Sequence, residues 1–186
     1  MIGFVALFYL SFGYHAFKSQ SDFRELVLAA MALQIIGSYA YFVAPALGPF
    51  VYQQGVEPPA TQAQQFMLQL WQENRAGGTA WLQANAGPQL TGGLAAMPSL
   101  HAGGSLLFLI LAWRFAKELL WVMIPLFVFI SITAIANRWH YLIDLPVGWA
   151  LALLSAYLAY RIMSFGSPAE ENNFVCDVGT DSQKLS

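Results

Sequence analysis

Long apolar runs, interrupted by few charged residues, are the feature that most constrains the fold of this chain. Only 10% of its 186 residues are charged, whereas 58% are hydrophobic. A soluble domain typically carries about 25% charged residues, so this chain has too little charge to cover a water-facing surface. Because the apolar residues are grouped in runs, they indicate a bilayer as the solvent. The chain is therefore predicted to be an integral, multi-pass membrane protein.

Five segments are predicted to cross the membrane as helices. They cover residues 2–17, 26–47, 98–115, 119–136 and 145–163. The first is short, since a hydrocarbon core needs roughly 20 apolar residues. It lacks the basic start and the A-x-A cleavage site of a signal peptide, so it is interpreted as a membrane helix. The predicted fold class is all-α, a polytopic helix bundle with about five spans.

Two polar segments accompany the predicted bundle. Residues 50–96 form a loop rich in Gln, Gly and Pro. Four large apolar residues recur within this loop at helical spacing, namely Phe66, Met67, Leu70 and Trp71. They predict an amphipathic helix that lies on the membrane or caps the bundle. Residues 165–186 are polar and acidic, which is typical of a disordered tail, so the membrane domain is assigned to residues 1–164.

The positions of Lys and Arg predict the orientation of the bundle. If the five spans alternate, one side of the membrane receives five cations, namely Lys18, Arg24, Arg114, Lys117 and Arg161. The positive-inside rule makes that side, and the tail, cytoplasmic. The opposite, outer side (periplasmic, extracellular or lumenal) then holds Arg75 and Arg138. It also holds the N-terminus, which favours the interpretation that an upstream helix is missing.

The first polar motif, Pro98-Ser-Leu-His101, stands at the outer start of the third span. Proline is favoured in the first turn of a helix, so Pro98 is expected to begin the helix, with Ser99 and His101 in that turn. Free N–H groups and the helix dipole make the turn an anion site. The small residues at 103–105 are expected to let a neighbouring helix approach closely. By itself, the motif is equally consistent with a serine cap and an interfacial histidine.

The second motif, Arg138-Trp-His140-Tyr-Leu-Ile-Asp144, follows the fourth span on the same side. On a helix, His140 and Asp144 share a face. Pro146 favours a second geometry, in which the helix begins near Asp144 and His140 lies on the preceding turn. Either geometry allows an Asp–His hydrogen bond, which fixes the tautomer and makes the other ring nitrogen a better nucleophile. Ionisable groups at membrane depth are costly and usually functional.

Several other classes of site and partner are disfavoured. His101, His140 and Asp144 could ligate zinc, but no cysteine or further carboxylate stands nearby to complete the site. Arg138 favours an anion instead, so neither a metal nor another cofactor is predicted. The third histidine, His15, is interpreted as interfacial. The net charge of -2 gives no reason to expect nucleic acid, and the single cysteine excludes an internal disulfide.

Together the two motifs resemble signatures of the type-2 phosphatidic acid phosphatase superfamily. Pro98-Ser-Leu-His101 is similar to its second signature, and Arg138-x-His140-x-x-x-Asp144 is similar to its third. The Pro-Ser-Leu-His and His-Tyr-x-x-Asp forms most resemble the inositol phosphorylceramide synthase branch. The resemblance covers roughly residues 39–154. It implies a six-helix membrane core, which again leaves a first helix missing.

The resemblance also implies a metal-independent mechanism. His140 would attack the phosphorus and form a phosphohistidine, with Asp144 orienting it. His101 would protonate the leaving oxygen and then activate the acceptor. Ser99 and Arg138 would hold the phosphate oxygens, where stabilisation of charge supplies much of the rate.

The cations depart from the superfamily pattern in two ways. The first signature, a lysine and an arginine–proline pair at fixed spacing, is missing. Lys18 and Arg24 have nearly that spacing but lie on the wrong side of the membrane. Arg75 in the outer loop is the candidate to replace one of these cations. Arg138 stands two residues before His140, closer than in the common phosphatases.

Three functions follow from these observations. The leading hypothesis is a phosphatase that acts on a phospholipid or polyprenyl phosphate taken from the bilayer. The Pro-Ser-Leu-His and His-Tyr-x-x-Asp forms of the two motifs favour the alternative. It is a transferase that moves a phosphorylated head group to an alcohol or lipid acceptor. The second alternative, an inactive membrane scaffold, predicts a degraded site. It is disfavoured because Ser99, His101, His140 and Asp144 are all present.

Overall fold

The structure, a computed structural model, describes residues 2–44, 46–85 and 96–166. Within these residues the chain forms six α-helices and two short 3-10 turns. The helices are α1 Ile2–Lys18, α2 Gln20–Val43, α3 Pro58–Asn85, α4 Leu100–Phe115, α5 Leu120–Ala136 and α6 Asp144–Gly166. The turns are Pro49–Val51 and Lys117–Leu119. The predicted all-α helix bundle is confirmed, and the five predicted spans correspond to α1, α2, α4, α5 and α6.

The central helix of the bundle is α4, which packs against α1, α2, α5 and α6. Its Leu107 and Leu111 are fully buried among apolar side chains of its neighbours. Those neighbours include Leu7 of α1, Leu26 of α2 and Met123 of α5. Burial on nearly all sides explains why the sequence of α4 is apolar all round rather than on one face.

Three helical segments are long and apolar enough to cross a membrane, judged by length and composition. They are residues 20–43, 117–136 and 144–165, and α4 is a shorter apolar helix. Large apolar side chains cover their outward faces, among them Ile35, Trp121, Phe129, Ile132 and Leu153. An apolar surface of this extent is unusual on a soluble monomer, and it is suited to contact with lipid tails.

The helix boundaries differ most from the predicted ones in α2, α3 and α6, and α2 begins at Gln20 rather than at residue 26. The second span ends at Val43 rather than residue 47, because Ala44 precedes a proline and leaves the helical conformation. The loop helix α3 is longer than the pattern predicted, and it breaks at Gly78, whose φ of 55° suits glycine. Helix α6 runs to Gly166, so residues 165–166 of the predicted tail are helical. The rest of that tail, residues 167–186, lies outside the described residues.

Two ion pairs join helices at the end of the bundle that lies away from both histidine motifs. Lys18 of α1 lies 2.9 Å from Glu118, and both side chains are exposed. Arg114 of α4 pairs with Glu25 of α2, whose side chain is buried. The structure thus places Lys18 and Arg114 at the same end of the bundle, as predicted from the alternation of the spans.

Glu25→Ala is expected to destabilise the bundle by about 2 kcal/mol, because Arg114 then lies at a helix interface without its partner. Removing one member of a fully buried pair costs roughly 3–5 kcal/mol, and the partial exposure of Arg114 reduces that cost. Lys18→Ala is the matched control and should cost less than about 1 kcal/mol. Denaturant unfolding in detergent micelles measures both, and equal losses would contradict the prediction.

His15 is buried inside the bundle, which corrects its interpretation as an interfacial residue. Leu7, Ser11 and His15 recur every four residues on α1 and form its buried stripe. The Nδ1 atom of His15 lies 2.8 Å from the Ser11 carbonyl oxygen, and the ring packs edge-on to Phe115. His15 therefore lies at the end of α1 that is remote from the other two histidines.

Candidate active site

The first motif forms the N-terminal cap of α4. The helix begins at Leu100, and the Ser99 hydroxyl accepts a hydrogen bond from the Ala102 N–H at 3.3 Å. Pro98 therefore precedes the cap and does not begin the helix as predicted, because serine is preferred at the capping position itself. Ser99 is fully buried, and its hydroxyl keeps a proton with which to donate to a further acceptor. His101 lies in the first turn, as predicted.

The main chain joins the first motif to the second. The Ser99 N–H donates to the backbone oxygen of Asp144 at 3.1 Å. Helix α6 begins at Asp144, which confirms the second geometry that Pro146 favoured. The caps of α4 and α6 therefore lie side by side at one end of the bundle.

Two glycines allow this close approach of α4 and α6. A Cβ atom on Gly103 would lie 2.7 Å from the Gly148 carbonyl oxygen. A Cβ atom on Gly148 would collide with the Ser99 carbonyl. The expectation that small residues let a neighbouring helix approach is confirmed for Gly103. Sequence analysis missed Gly148, whose only signal was a glycine in the first turns of an apolar span.

The imidazole of His140 is nearly buried and has a defined tautomer. Its Nδ1 atom lies 2.7 Å from the backbone oxygen of Ala96. A carbonyl oxygen can only accept, so Nδ1 carries the proton and Nε2 keeps its lone pair. The Nδ1 atom lies 3.8 Å from the Asp144 carboxylate, beyond hydrogen-bond distance. The predicted Asp–His hydrogen bond is therefore replaced by one to Ala96, with the same consequence for the tautomer.

The Asp144 carboxylate has a different hydrogen-bond partner in the structure. Its Oδ2 atom accepts from the Tyr141 N–H at 2.7 Å, which turns the carboxylate toward the backbone of the loop before α6. That interaction explains why Asp144 is near His140 without bonding to it. The negative charge still lies beside the imidazole and favours any positive charge that develops on the ring.

Two aromatic residues that sequence analysis missed support the site. The ring of Phe4 packs edge-on against His101, with ring centroids 4.9 Å apart. The Tyr41 hydroxyl donates to the Pro98 carbonyl oxygen at 3.0 Å. Phe4 belongs to α1 and Tyr41 to α2, so two neighbouring helices contact the start of α4.

Arg138 and His140 line a common groove. It has a volume of about 330 Å³, and the rest of its lining consists of Pro49, Tyr52, Gln53, Ile135, Tyr141 and Leu142. The Arg138 side chain is exposed, and its backbone has a φ of 59°, in the left-handed region. The groove is thus largely apolar, with a guanidinium group and an imidazole on its wall.

Arg75 lies apart from the other candidate residues. It belongs to α3, and its guanidinium carbon lies 5.4 Å from the centroid of the Trp71 ring. Among the described residues no hydrogen bond, ion pair or ring contact joins Arg75 to the other five candidates, and its phosphate-binding role stays a prediction. Ser99, His101, Arg138, His140 and Asp144 all lie at one end of the bundle.

The described part of the chain holds no group of three or more His, Cys, Asp or Glu residues placed to bind a metal ion.

A family model for the PAP2 superfamily matches residues 1–158. The match covers most of the chain and includes both histidine motifs. The chain belongs to the PAP2 superfamily. No curated protein and no solved structure matches it. Membership of the PAP2 superfamily, together with helices of membrane-spanning length, identifies a membrane enzyme of the phosphatase or phosphotransferase type. The synthase-like branch within the superfamily stays a prediction.

The pH profile of this PAP2-superfamily enzyme should reflect the burial of His140. Burial lowers the pKa of His140 below its ordinary value of 6.5, and the hydrogen bond to Ala96 opposes this only in part. For the nucleophilic role that the resemblance implies, the imidazole of His140 must be neutral. As the pH falls through 6.5, His140 stays neutral, and activity is lost only below its lowered pKa. The acid limb of kcat/KM is therefore expected below pH 6.5, and a limb at or above that pH would contradict the prediction.

Proposed function

We propose that this PAP2-superfamily chain is a metal-independent lipid phosphatase that works through a phosphohistidine on His140. The observation that carries the proposal is the 2.7 Å contact between His140 Nδ1 and the Ala96 carbonyl oxygen. This contact reserves the Nε2 lone pair for attack on phosphorus. The site also contains a second imidazole, a helix N-terminus and a guanidinium group, which together suit an anionic substrate.

In the first step, His140 Nε2 forms a bond to phosphorus while the bond from phosphorus to the lipid oxygen breaks. His101 donates a proton to that leaving oxygen, so that the lipid departs as an alcohol. In the second step, His101 accepts a proton from water, the water oxygen bonds to phosphorus, and the phosphorus–nitrogen bond breaks. The products are a lipid alcohol and inorganic phosphate, and both histidines return to their starting states.

Four further groups are assigned to stabilising charge. The Ser99 hydroxyl and the N-terminal turn of α4 would hold phosphate oxygens. Arg138, on the groove wall, would neutralise the charge that spreads over those oxygens in phosphoryl transfer. The Asp144 carboxylate, 3.8 Å from Nδ1, would stabilise the positive charge that His140 gains when it attacks.

The groove supports a lipid substrate such as a phospholipid or polyprenyl phosphate. Its apolar wall includes Pro49, Ile135 and Leu142, and its charged wall includes Arg138. This combination matches a molecule with an apolar chain next to a phosphate. The site lies at the end of the bundle opposite the cations Lys18 and Arg114. By the positive-inside rule, it would face the outer side of the membrane.

The alternative is a transferase that passes a phosphorylated head group from His140 to an alcohol rather than to water. Two observations favour it: the Pro-Ser-Leu-His and His-Tyr-x-x-Asp forms of the motifs, and the absence of the basic first signature. The groove beside His140 also presents Tyr52, Gln53 and Tyr141, whose polar groups suit a hydroxylated acceptor. Phosphatase and transferase would share the first step and differ in what reaches the phosphohistidine second.

Product analysis separates the two reactions. Purified protein is incubated with labelled phospholipid or polyprenyl phosphate, with and without candidate alcohols, and the products are identified by mass spectrometry. Inorganic phosphate as the only new phosphorus product in every mixture is the expected result and would overturn the transferase. A new phosphodiester lipid would overturn the simple phosphatase. A chelator should leave the rate unchanged, and strong inhibition would overturn the metal-independent mechanism.

A further inference from the structure

The loop between α5 and α6 carries Arg138 and His140. A segment that is distant in sequence donates hydrogen bonds to the backbone oxygens of this loop. This clamp segment, residues 48–64, contacts three successive carbonyl oxygens of the loop. The Asn137 oxygen accepts from Gln64 Nε2 at 2.6 Å, and the Arg138 oxygen accepts from the Phe50 N–H at 3.0 Å. The Trp139 oxygen lies so close to Gly48 that an added Cβ atom there would be 2.6 Å away.

The side chain of Asn137 is the centre of this contact. Its Oδ1 atom accepts from the Glu57 N–H at 3.0 Å, and its Nδ2 group donates to Glu57 Oε2 at 3.1 Å. Asn137 is only 5% exposed, whereas Glu57 is an exposed residue, so the two bonds are partly buried. The two bonds fix the amide plane of Asn137 against the backbone and side chain of a single residue.

Glu57 in turn belongs to the start of α3. Its carbonyl oxygen accepts from the Thr61 N–H at 3.1 Å, one residue before the helix begins at Pro58. About two helical turns after Glu57, Gln64 provides the bond to the Asn137 carbonyl. The beginning of α3 is therefore attached to the loop on both sides of the Asn137 peptide. The exposed remainder of α3, which includes Arg75, makes no such contact with the loop.

The loop begins with the C-terminal cap of α5, in which Arg138 has a φ of 59° and occupies the position that glycine usually takes. The N–H groups of Arg138 and Trp139 bond to the backbone oxygens of Ile135 and Ala134 at 3.0 and 3.1 Å, and the clamp segment adds its bonds to these. The left-handed conformation of Arg138 is unfavourable for a residue with a Cβ atom. It persists where the surroundings determine it, and such residues cluster at functional sites. Asn137 precedes Arg138 directly, so a released Asn137 would let the strained residue relax. Relaxation there would turn the guanidinium group and shift His140, two residues further on.

We propose that Glu57 and Asn137 are positioning residues, whose paired hydrogen bonds hold the loop so that Arg138 and His140 meet the same phosphate. The inference rests on the proposed function, since it assigns these two residues to the same phosphoryl transfer. Neither residue lines the groove that Arg138 and His140 share. They act through the conformation of the loop, and a displacement of about 1 Å at a catalytic group is enough to cost roughly 100-fold in rate.

Glu57→Ala and Asn137→Ala test the proposal through kcat measured per folded protein, with the folded fraction taken from the monodisperse peak in gel filtration. Asn137→Ala is expected to lower kcat about 100-fold. Glu57→Ala is expected to lower kcat by a smaller factor, because the Glu57 N–H still donates to Asn137 Oδ1. The double variant should lose no more than Asn137→Ala, because that single variant already removes both hydrogen bonds. Glu57→Gln keeps an acceptor oxygen for Asn137 Nδ2 and should stay within about threefold of wild type. A merely structural pair would lower the folded fraction and leave kcat per folded protein unchanged.

Glu73→Ala is the matched control on the same helix. Its carboxylate accepts a hydrogen bond from Gln69 at 2.9 Å on the exposed face of α3, so its removal should leave kcat unchanged. Should the alanine variants not fold, Asn137→Asp provides a second test, because it sets two carboxylates against each other and should lower kcat. Adding Glu57→Gln to Asn137→Asp restores one donor and one acceptor and should recover the rate.

The outcomes separate the two proposals. An active wild type with unchanged kcat in Glu57→Ala or Asn137→Ala overturns the positioning role and leaves the proposed function intact. Failure of Glu57→Gln to rescue Asn137→Asp overturns the positioning role as well. A wild type that turns over no phosphorylated lipid overturns the proposed function, and the positioning role falls with it.

Discussion

His140→Ala is expected to abolish turnover, with kcat/KM lowered by a factor of about 10⁴ or more. The alanine has no group that can bond to phosphorus, so neither the phosphohistidine nor its hydrolysis is possible. The loss should be as large for transfer to an alcohol as for transfer to water, since both reactions share the first step. A variant that keeps turnover near wild type would overturn the mechanism.

A matched variant distinguishes the nucleophile from the acid. His101→Ala keeps His140 and loses the group that protonates the leaving oxygen. With a leaving group that needs no proton, such as p-nitrophenolate, the first step should proceed in His101→Ala and the phosphohistidine should accumulate. Rapid-quench trapping with ³²P-labelled substrate detects this intermediate as acid-labile label on His140. Label on His101 in the wild type would reverse the two assigned roles.

Gly148→Ala is expected to have the second largest effect, because the new Cβ atom collides with the Ser99 carbonyl. Relief of the collision moves the start of α6 away from α4 and breaks the bond between the Ser99 N–H and the Asp144 oxygen. Overpacking of this kind costs roughly 1–3 kcal/mol, and separation of the two caps should lower kcat about 100-fold or more. Thermal unfolding in detergent and steady-state kinetics measure the two effects.

Gly13→Ala is the control for a glycine replaced within a helix. A Cβ atom on Gly13 would meet no heavy atom within 4 Å. Alanine is the better helix former by about 1 kcal/mol, so this variant should be as stable as wild type or slightly more so, with unchanged kcat. Wild-type kinetics in Gly148→Ala would show that the close approach of α4 and α6 does not position the site.

Local sequence determined the helices and the residue types of the candidate site. The apolar runs defined five helices of the bundle, because only helices bury their backbone polar groups within one segment in lipid. Ser99 and Pro146 marked the starts of α4 and α6 through capping chemistry that acts over a few residues. The two histidine motifs lie at one end of the bundle, as the alternation of the spans predicts.

Only the tertiary structure decided which groups hold those residues in place. The partner of His140 Nδ1 is the carbonyl of Ala96, 44 residues away in sequence, and not the carboxylate four residues away. Likewise, Gly148 packs on Ser99, and Glu57 binds Asn137 across 80 residues of chain. A carbonyl or an amide at such a distance leaves no periodic pattern in the sequence.

Arg75 also shows that residue type alone does not give the position of a side chain. Its charge made it a candidate for phosphate binding, and in the structure its guanidinium group lies over the Trp71 ring of the same helix. The sequence by itself therefore determined the secondary structure, the membrane setting and the reactive groups, because these depend on local propensity and composition. Tertiary structure decided the tautomer of His140, the contact between the two caps and the hold on the loop that carries Arg138. Those features arise where distant segments pack, and their energies depend on distances of a few tenths of an ångström.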